Sequence, residues 1–121
     1  MPKVMIIEDD AAMLSLLTTL LEMEGFEVLK QGEVDPGIIM DQLRNECPDV
    51  VLMDVYLRHL NGLDLLKQIK QDEQIKSLRV VMSFGMDFCD ACLRAGASGF
   101  IMKPYMPDDL ISQLHQVMSA V

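Results

Sequence analysis

Basic residues are scarce. Ten Lys and Arg face nineteen Asp and Glu, for a formal charge of −9, and that balance argues against direct binding of nucleic acid or of anionic membrane. Cysteines number three, Cys47, Cys89 and Cys92. Such a sparse, odd set gives no disulfide framework and suits a reducing compartment. Tryptophan is absent and aromatic residues make up 5% of the chain, so the core must be filled by aliphatic side chains and by Met. Methionine is plentiful, at 11 residues, and it packs irregular gaps or lines adaptable surfaces. No apolar run approaches the length of a membrane span. Met1-Pro2-Lys3 leads straight into an apolar run with no signal-peptide pattern, and the expectation is a soluble, cytoplasmic protein without membrane insertion. Repeats, linkers and low-complexity segments are also missing.

What remains is a chain of 121 residues, half of them hydrophobic, enough for one domain over 1–121 with a sizeable core. Short apolar runs alternate with helical patterns. Val4 to Ile7 reads as a buried strand, and Glu8-Asp9-Asp10 ends it. From Ala11 to Glu24 a helix is predicted with Met13, Leu16, Leu17, Leu20 and Leu21 on its buried face, stopped by Gly25. Phe26 to Leu29 reads as an edge strand. Asp35-Pro36 is a helix start, a capping acid before Pro at the first helical position, with Ile38, Ile39 and Leu43 as the buried face. Cys47-Pro48 ends that helix.

Val50-Val51-Leu52-Met53-Asp54 then gives four apolar residues closing on a carboxylate, the mark of a strand buried on both faces of a parallel sheet. A turn at Asn61-Gly62 precedes a third helix carrying Leu63, Leu66 and Ile69. Leu78 to Met82 is predicted as the fourth strand and Ser98 to Met102 as the fifth, with a short helix between them starting near Asp87 and closed by Gly96. Pro107-Asp108-Asp109 opens a last helix whose apolar face is Leu110, Ile111, Leu114, Val117 and Met118. Strands alternating with helices predict an α/β fold, a three-layer doubly wound sandwich on an all-parallel five-stranded sheet.

The chemistry-bearing residues gather at strand ends, and open α/β sheets hold their ligands at the carboxyl edge. Glu8 and Asp9 follow the first strand, Asp54 ends the third, Ser83 follows the fourth and Lys103 the fifth. Crowded carboxylates repel one another and call for a cation or a proton. Oxygen-only ligands with room for water favour Mg²⁺. A cation there would bring a phosphoryl group to the acids, and Asp54 is placed to accept it as an aspartyl phosphate. The transferred group spreads its charge over three oxygens; Mg²⁺ can hold one, the Ser83 hydroxyl another and the Lys103 ammonium a third.

With these residues the chain resembles, from Val4 to the last helix, the receiver domains of two-component response regulators, the CheY-like or flavodoxin-like family. The resemblance rests on Glu8-Asp9, Asp54, Asn61-Gly62-Leu63, Ser83 and Lys103-Pro104. It implies strand order 2-1-3-4-5 and phosphoryl transfer to Asp54 from a sensor histidine kinase, a histidine phosphotransfer protein or a small phosphodonor. It implies Mg²⁺ held by Glu8, Asp9, Asp54 and the backbone carbonyl of Tyr56, a switch pair of Ser83 and Phe100, and a cis Lys103-Pro104 peptide. It also implies an output face built from the fourth helix, fifth strand and fifth helix, here with Met86, Phe88 and Tyr105, for a downstream protein or a second copy of the chain. Three departures stand out. Arg58 replaces a usual proline, Phe84 replaces a small residue after the switch hydroxyl, and the interval from Ser83 to Lys103 is short.

Each residue has a plainer reading. An acidic run is often a helix start favoured by the dipole, Asp54 alone is a cap or loop acid, and Lys103 alone is a solvated lysine. It is their joint placement that favours a site. Cys89-Asp90-Ala91-Cys92 lacks the context of a redox or zinc motif and reads as two thiols sharing a helix face. His59 and His115 read as surface or packing residues. Two other functions compete: a degenerate receiver that only docks a partner, and a flavin-binding electron carrier. The latter needs a phosphate-cradling loop after the first strand, where Glu8-Asp9-Asp10 would repel phosphate.

Overall fold

The computed structural model describes residues 1–32, 35–58 and 60–119; His59 lies outside them. The strands are β1 (Lys3–Ile7), β2 (Glu27–Gln31), β3 (Val50–Asp54), β4 (Val80–Phe84) and β5 (Gly99–Met102). They pair in parallel in the order β2-β1-β3-β4-β5, as expected for a flavodoxin-like receiver fold. The helices are α1 (Ala11–Met23), α2 (Pro36–Glu46), α3 (Gly62–Gln71), α4 (Cys89–Arg94) and α5 (Pro107–Ser119). A small antiparallel hairpin, Tyr56–Leu57 with Leu60–Asn61, follows β3 and was not foreseen; two residues per strand are too few to show a period.

Alternate residues of each central strand feed opposite cores, as the pleat requires. Met5, Ile7, Val51, Met53, Val80 and Met82 pack under α2, α3 and α4. Val4, Ile6, Val50, Leu52 and Val81 pack under α1 and α5. Both faces of β1, β3 and β4 are therefore covered, which is why their sequences read as unbroken apolar runs.

Several predicted details are corrected. β2 spans Glu27–Gln31 rather than Phe26 to Leu29. β4 starts at Val80 rather than Leu78 and runs through Ser83 to Phe84, because β5 extends its ladder with Ser83 opposite Ile101 and Phe84 opposite Met102. Ser83 thus ends up inside the strand. α4 starts at Cys89, and Asp87 instead forms a turn by accepting the Cys89 N–H at 3.1 Å. In α1 the buried side chains are Leu17, Thr18 and Leu21, while Leu16 is 64% exposed. In α2 they are Ile39, Met40 and Leu43, while Ile38 is exposed. In α3, Leu65 joins Leu66 and Ile69 inside, and Leu63 is half-buried.

The capping forecasts hold. The Asp35 carboxylate accepts from the N–H groups of Gly37 and Ile38, and Gly25 leaves α1 at φ +91°, a conformation glycine enters without steric cost. His115 packs its ring on Phe26 with centroids 5.4 Å apart. No helix among the described residues is long and apolar enough to cross a membrane.

Candidate functional site

Parallel pairing brings the predicted residues to one edge. Asp54 lies opposite Ser83 in the register of β3 and β4, and Ile7 lies opposite Met53, so Glu8 leaves β1 beside Asp54. Lys103 follows β5, its N–H donating to the Phe84 carbonyl at 2.7 Å. Glu8, Asp54, Ser83, Lys103 and Tyr105 line one small cavity. Its floor is the apolar ends of β1 and β3, through Ile6, Ile7 and Leu52.

Lys103 is the centre of the arrangement. Its Nζ donates to Asp54 Oδ2 at 2.6 Å and lies 3.6 Å from Glu8 Oε1. Burial works against the ammonium charge, but the hydrogen bond and charge of Asp54, with Glu8 behind it, outweigh that and raise the Lys103 pKa. Asp54 Oδ1 accepts the Tyr56 N–H at 3.0 Å. The Lys103–Pro104 peptide is cis, as expected.

The three consecutive acids divide their work. Asp10 caps α1, its Oδ1 accepting the Met13 N–H at 3.0 Å. Asp9 accepts the backbone N–H of Arg58, which ties it to the segment after β3 that carries Tyr56. Proline at position 58 would have no such hydrogen to give, so the departure at Arg58 has a structural consequence. Glu8 is 6% exposed. Burial raises its pKa; Lys103 opposes this, and Asp54, Asp9 and Asp10 add to it.

Because the folded state holds the Glu8 proton more tightly than the unfolded chain does, ionised Glu8 costs stability. The cost is absent at acid pH and builds as pH rises through the folded pKa. Glu8→Gln should therefore raise Tm at neutral pH in buffer free of divalent cations. The gain should fade toward about pH 4, where Glu8 is protonated in either state. Thermal melts across that range check it; a gain independent of pH would contradict it.

The carboxylates supply oxygen donors only, which suits a hard cation. As the side chains stand, no group of three His, Cys, Asp or Glu among the described residues is gathered to hold a metal. Glu8 and Asp54 share Lys103, and Asp9 is engaged by Arg58.

Ser83 is 3% exposed. Its neighbour Phe84 packs against Phe88 with ring centroids 5.1 Å apart and the rings tilted by 42°, linking β4 to the segment before α4. Phe100, in β5, is half-buried and lies opposite Met82 of β4. Met86 and Leu93 are well exposed, and Phe88 less so, as expected for a six-residue helix with too many apolar neighbours. Cys92 is buried and Cys89 half-buried.

Tyr105, expected on the output face, is half-buried: it lines an apolar groove of about 370 Å³ with Met13, Leu16, Leu20, Pro104 and Pro107, and its hydroxyl is buried. Residues past a strand end follow no period, so nothing in the sequence foretold that direction. Gly62, read as a turn residue, in fact opens α3 hard against the Asp54 carbonyl.

A family model for the response regulator receiver domain matches residues 4–115. The DNA-binding response regulator MtrA of Mycobacterium tuberculosis is 30% identical over 93% of this chain and 48% of its own length. The chain thus spans about half the length of the curated relatives it matches. Among solved structures, the receiver domain of NtrX from Brucella abortus superposes with a TM-score of 0.86 at 28% identity, covering 98% of this chain and 99% of that one. A CheY-like receiver domain protein from Methanospirillum hungatei gives 0.85 at 27% identity, covering 98% and 94%.

Proposed function

We propose, from the premise that this chain belongs to the response regulator receiver domain family of two-component signalling, that it is a switch set by phosphorylation of Asp54. The donor is a histidine of a sensor kinase or phosphotransfer protein, or a small acyl phosphate. The observation that carries this reading is the Lys103 ammonium 2.6 Å from Asp54 Oδ2, in a cavity shared with Glu8 and Ser83. A lysine so placed pairs with the nucleophilic carboxylate and offers its charge to the oxygens of an incoming phosphoryl group.

In the transfer an Asp54 oxygen forms the new bond to phosphorus. The bond to the donor's nitrogen or oxygen breaks, and a donor histidine regains a proton. Glu8, Asp9, Asp54 and the Tyr56 carbonyl are the groups that would hold Mg²⁺, which when bound offsets the crowding of the acids and the charge of the phosphoryl group. The Arg58 N–H keeps Asp9 on the side of the site where Tyr56 lies.

The apolar groove of Met13, Leu16, Leu20, Pro104 and Pro107 opens beside Lys103. It offers a phosphodonor protein an apolar contact next to Asp54. Ser83 and Phe100 carry the message outward: the hydroxyl moves to the phosphoryl group, and Phe100 turns into the space released. The Phe84–Phe88 contact and exposed Met86 support a readable change on the face of α4, β5 and α5, for a protein partner or a second copy. Phosphate shifts this balance only through contacts it makes in one state and not the other, and Ser83 supplies such a contact.

Incubation with acetyl phosphate and Mg²⁺ should add the mass of one phosphoryl group, and a chelator should prevent it. Intact-protein mass spectrometry reads this directly. No gain at any donor concentration would leave the docking-only receiver as the better reading.

A further inference from the structure

The segment after β3 carries two backbone donors that reach the acids. The Tyr56 N–H donates to Asp54 Oδ1 at 3.0 Å, and the Arg58 N–H donates to Asp9 Oδ2. Both belong to the hairpin of Tyr56–Leu57 with Leu60–Asn61. That hairpin is braced. Leu57 is buried in the core. The Val55 N–H donates to the Ser83 carbonyl at 2.8 Å, and the Gly62 N–H donates to the Val55 carbonyl at 2.7 Å. The Arg58 N–H is therefore held in place against Asp9 by the fold around it.

The acids are shared out between their partners. Lys103 holds Asp54 at 2.6 Å and stands 3.6 Å from Glu8, while half-buried Asp9 is held by Arg58. So divided, no three acids among the described residues are gathered to hold a metal. Mg²⁺ demands a nearly regular octahedron with its oxygens at about 2.0–2.1 Å. Asp9 must therefore turn toward Glu8 and Asp54 to become a ligand, and Arg58, on a braced hairpin, cannot follow it.

We infer that the Arg58 N–H competes with Mg²⁺ for Asp9 and so weakens the metal site. The inference rests on Glu8, Asp9 and Asp54 being metal ligands, as in the phosphorylation reading above. As Asp9 turns, the Arg58 N–H is released to water. The hairpin then keeps its hold on the site through the Tyr56 carbonyl, the remaining protein ligand. Position 58 acts here through its backbone hydrogen, since the exposed residue touches Asp9 with that atom. Proline, which has no such hydrogen, would set Asp9 free.

Arg58→Pro and Arg58→Ala separate the hydrogen from the charge: both lose the guanidinium, and only the first loses the N–H. Leu57 already lies in a strand, the extended conformation that proline asks of the residue before it. In ¹H–¹⁵N NMR titrations with MgCl₂, Arg58→Pro should bind Mg²⁺ about tenfold more tightly than Arg58→Ala. That is the worth of one solvent-exposed hydrogen bond to a charged group. In the parent, the Arg58 amide proton should lie downfield in metal-free buffer. It should move upfield as Mg²⁺ is added and exchange faster with solvent at saturation. Equal binding by the two variants would overturn the inference. So would weaker binding by Arg58→Pro, which would mean that the N–H orients Asp9 for the metal. An Arg58 amide that keeps its shift and protection at saturating Mg²⁺ overturns it as well, and this readout decides alone if circular dichroism shows Arg58→Pro to be misfolded. Each of these results leaves the phosphorylation reading intact so long as the parent binds Mg²⁺ and takes up a phosphoryl group. A parent chain that binds no Mg²⁺ at all would overturn both.

Discussion

Asp54→Asn should abolish phosphoryl uptake from acetyl phosphate while leaving a folded protein. The amide has no nucleophilic oxygen of comparable strength, so a loss of at least several hundredfold, to below detection, is expected. Shape and one hydrogen bond survive, since an Asn Oδ1 can still accept the Tyr56 N–H that Asp54 Oδ1 accepts now. The other contact changes sign. Where Oδ2 receives the Lys103 ammonium at 2.6 Å, an amide NH₂ would present a donor to a donor, and Lys103 would be left to Glu8 alone. One charge-assisted bond is lost, but so is one of the negative charges that raise the Glu8 pKa. These effects oppose each other, so the melting temperature should move by only a few degrees, on the order of 1 kcal/mol or less. Mass spectrometry with circular dichroism separates the two readouts. Normal labelling of a folded Asp54→Asn protein would remove Asp54 as the acceptor, and with it the proposed role of Lys103.

The parts legible in the sequence share a physical cause. A strand covered on both faces must be apolar at every position, so Val4 to Ile7 and Val50 to Met53 announced themselves. Where such a run stops on a polar residue, the chain has reached the sheet edge; Glu8, Asp54 and Lys103 were found that way. Caps were legible because their chemistry is local: Asp35 serves the two N–H groups that follow it, whatever the rest of the chain does. Helix faces were less so. α1 carries Met13, Leu14, Leu16, Leu17, Leu20 and Leu21, which is apolar around most of its circumference, so periodicity alone could not tell core from groove. Leu16 fell on the exposed side. Ile38 was misplaced for a related reason, since Met40 is equally apolar and lies on the face that meets the sheet.

The end of β4 was cut short because Ser83 and Phe84 do not extend an aliphatic run, and the pairings that keep them in the strand, Ser83 with Asp54 and Ile101 and Phe84 with Met102, come from distant parts of the chain. The Tyr105 hydroxyl and the Arg58 hold on Asp9 are tertiary facts with no local signal.

Gly62→Ala shows how far such tertiary facts can reverse a local expectation. Gly62 is the first residue of α3, after the capping Asn61. On helix propensity alone, alanine there should stabilise by up to about 1 kcal/mol. The fold forbids it. A methyl at Gly62 would stand 2.1 Å from the Asp54 carbonyl oxygen and 3.1 Å from both the Asp54 carbonyl carbon and Val55 Cα. All of these are backbone atoms, so no side chain can swing aside. The backbone is pinned as well: the Val55 N–H donates to the Ser83 carbonyl at 2.8 Å, and the Gly62 N–H donates to the Val55 carbonyl at 2.7 Å. α3 cannot retreat freely either, because Leu65, Leu66 and Ile69 anchor it in the core and Asn61 Oδ1 holds the Leu63 and Asp64 N–H groups. The substitution should therefore cost about 1–3 kcal/mol, a fall in Tm of roughly 5–15 °C. Because the displaced atoms belong to Asp54 itself, its carboxylate should shift relative to Lys103. Phosphoryl uptake should then drop well below that of the parent even at temperatures where the variant is fully folded. Gly85→Ala is the matching control: a methyl there meets nothing within 4 Å, so melting temperature should be nearly unchanged. If Gly62→Ala melts at or above the parent and labels normally, the close approach of α3 to Asp54 is not a constraint on the site.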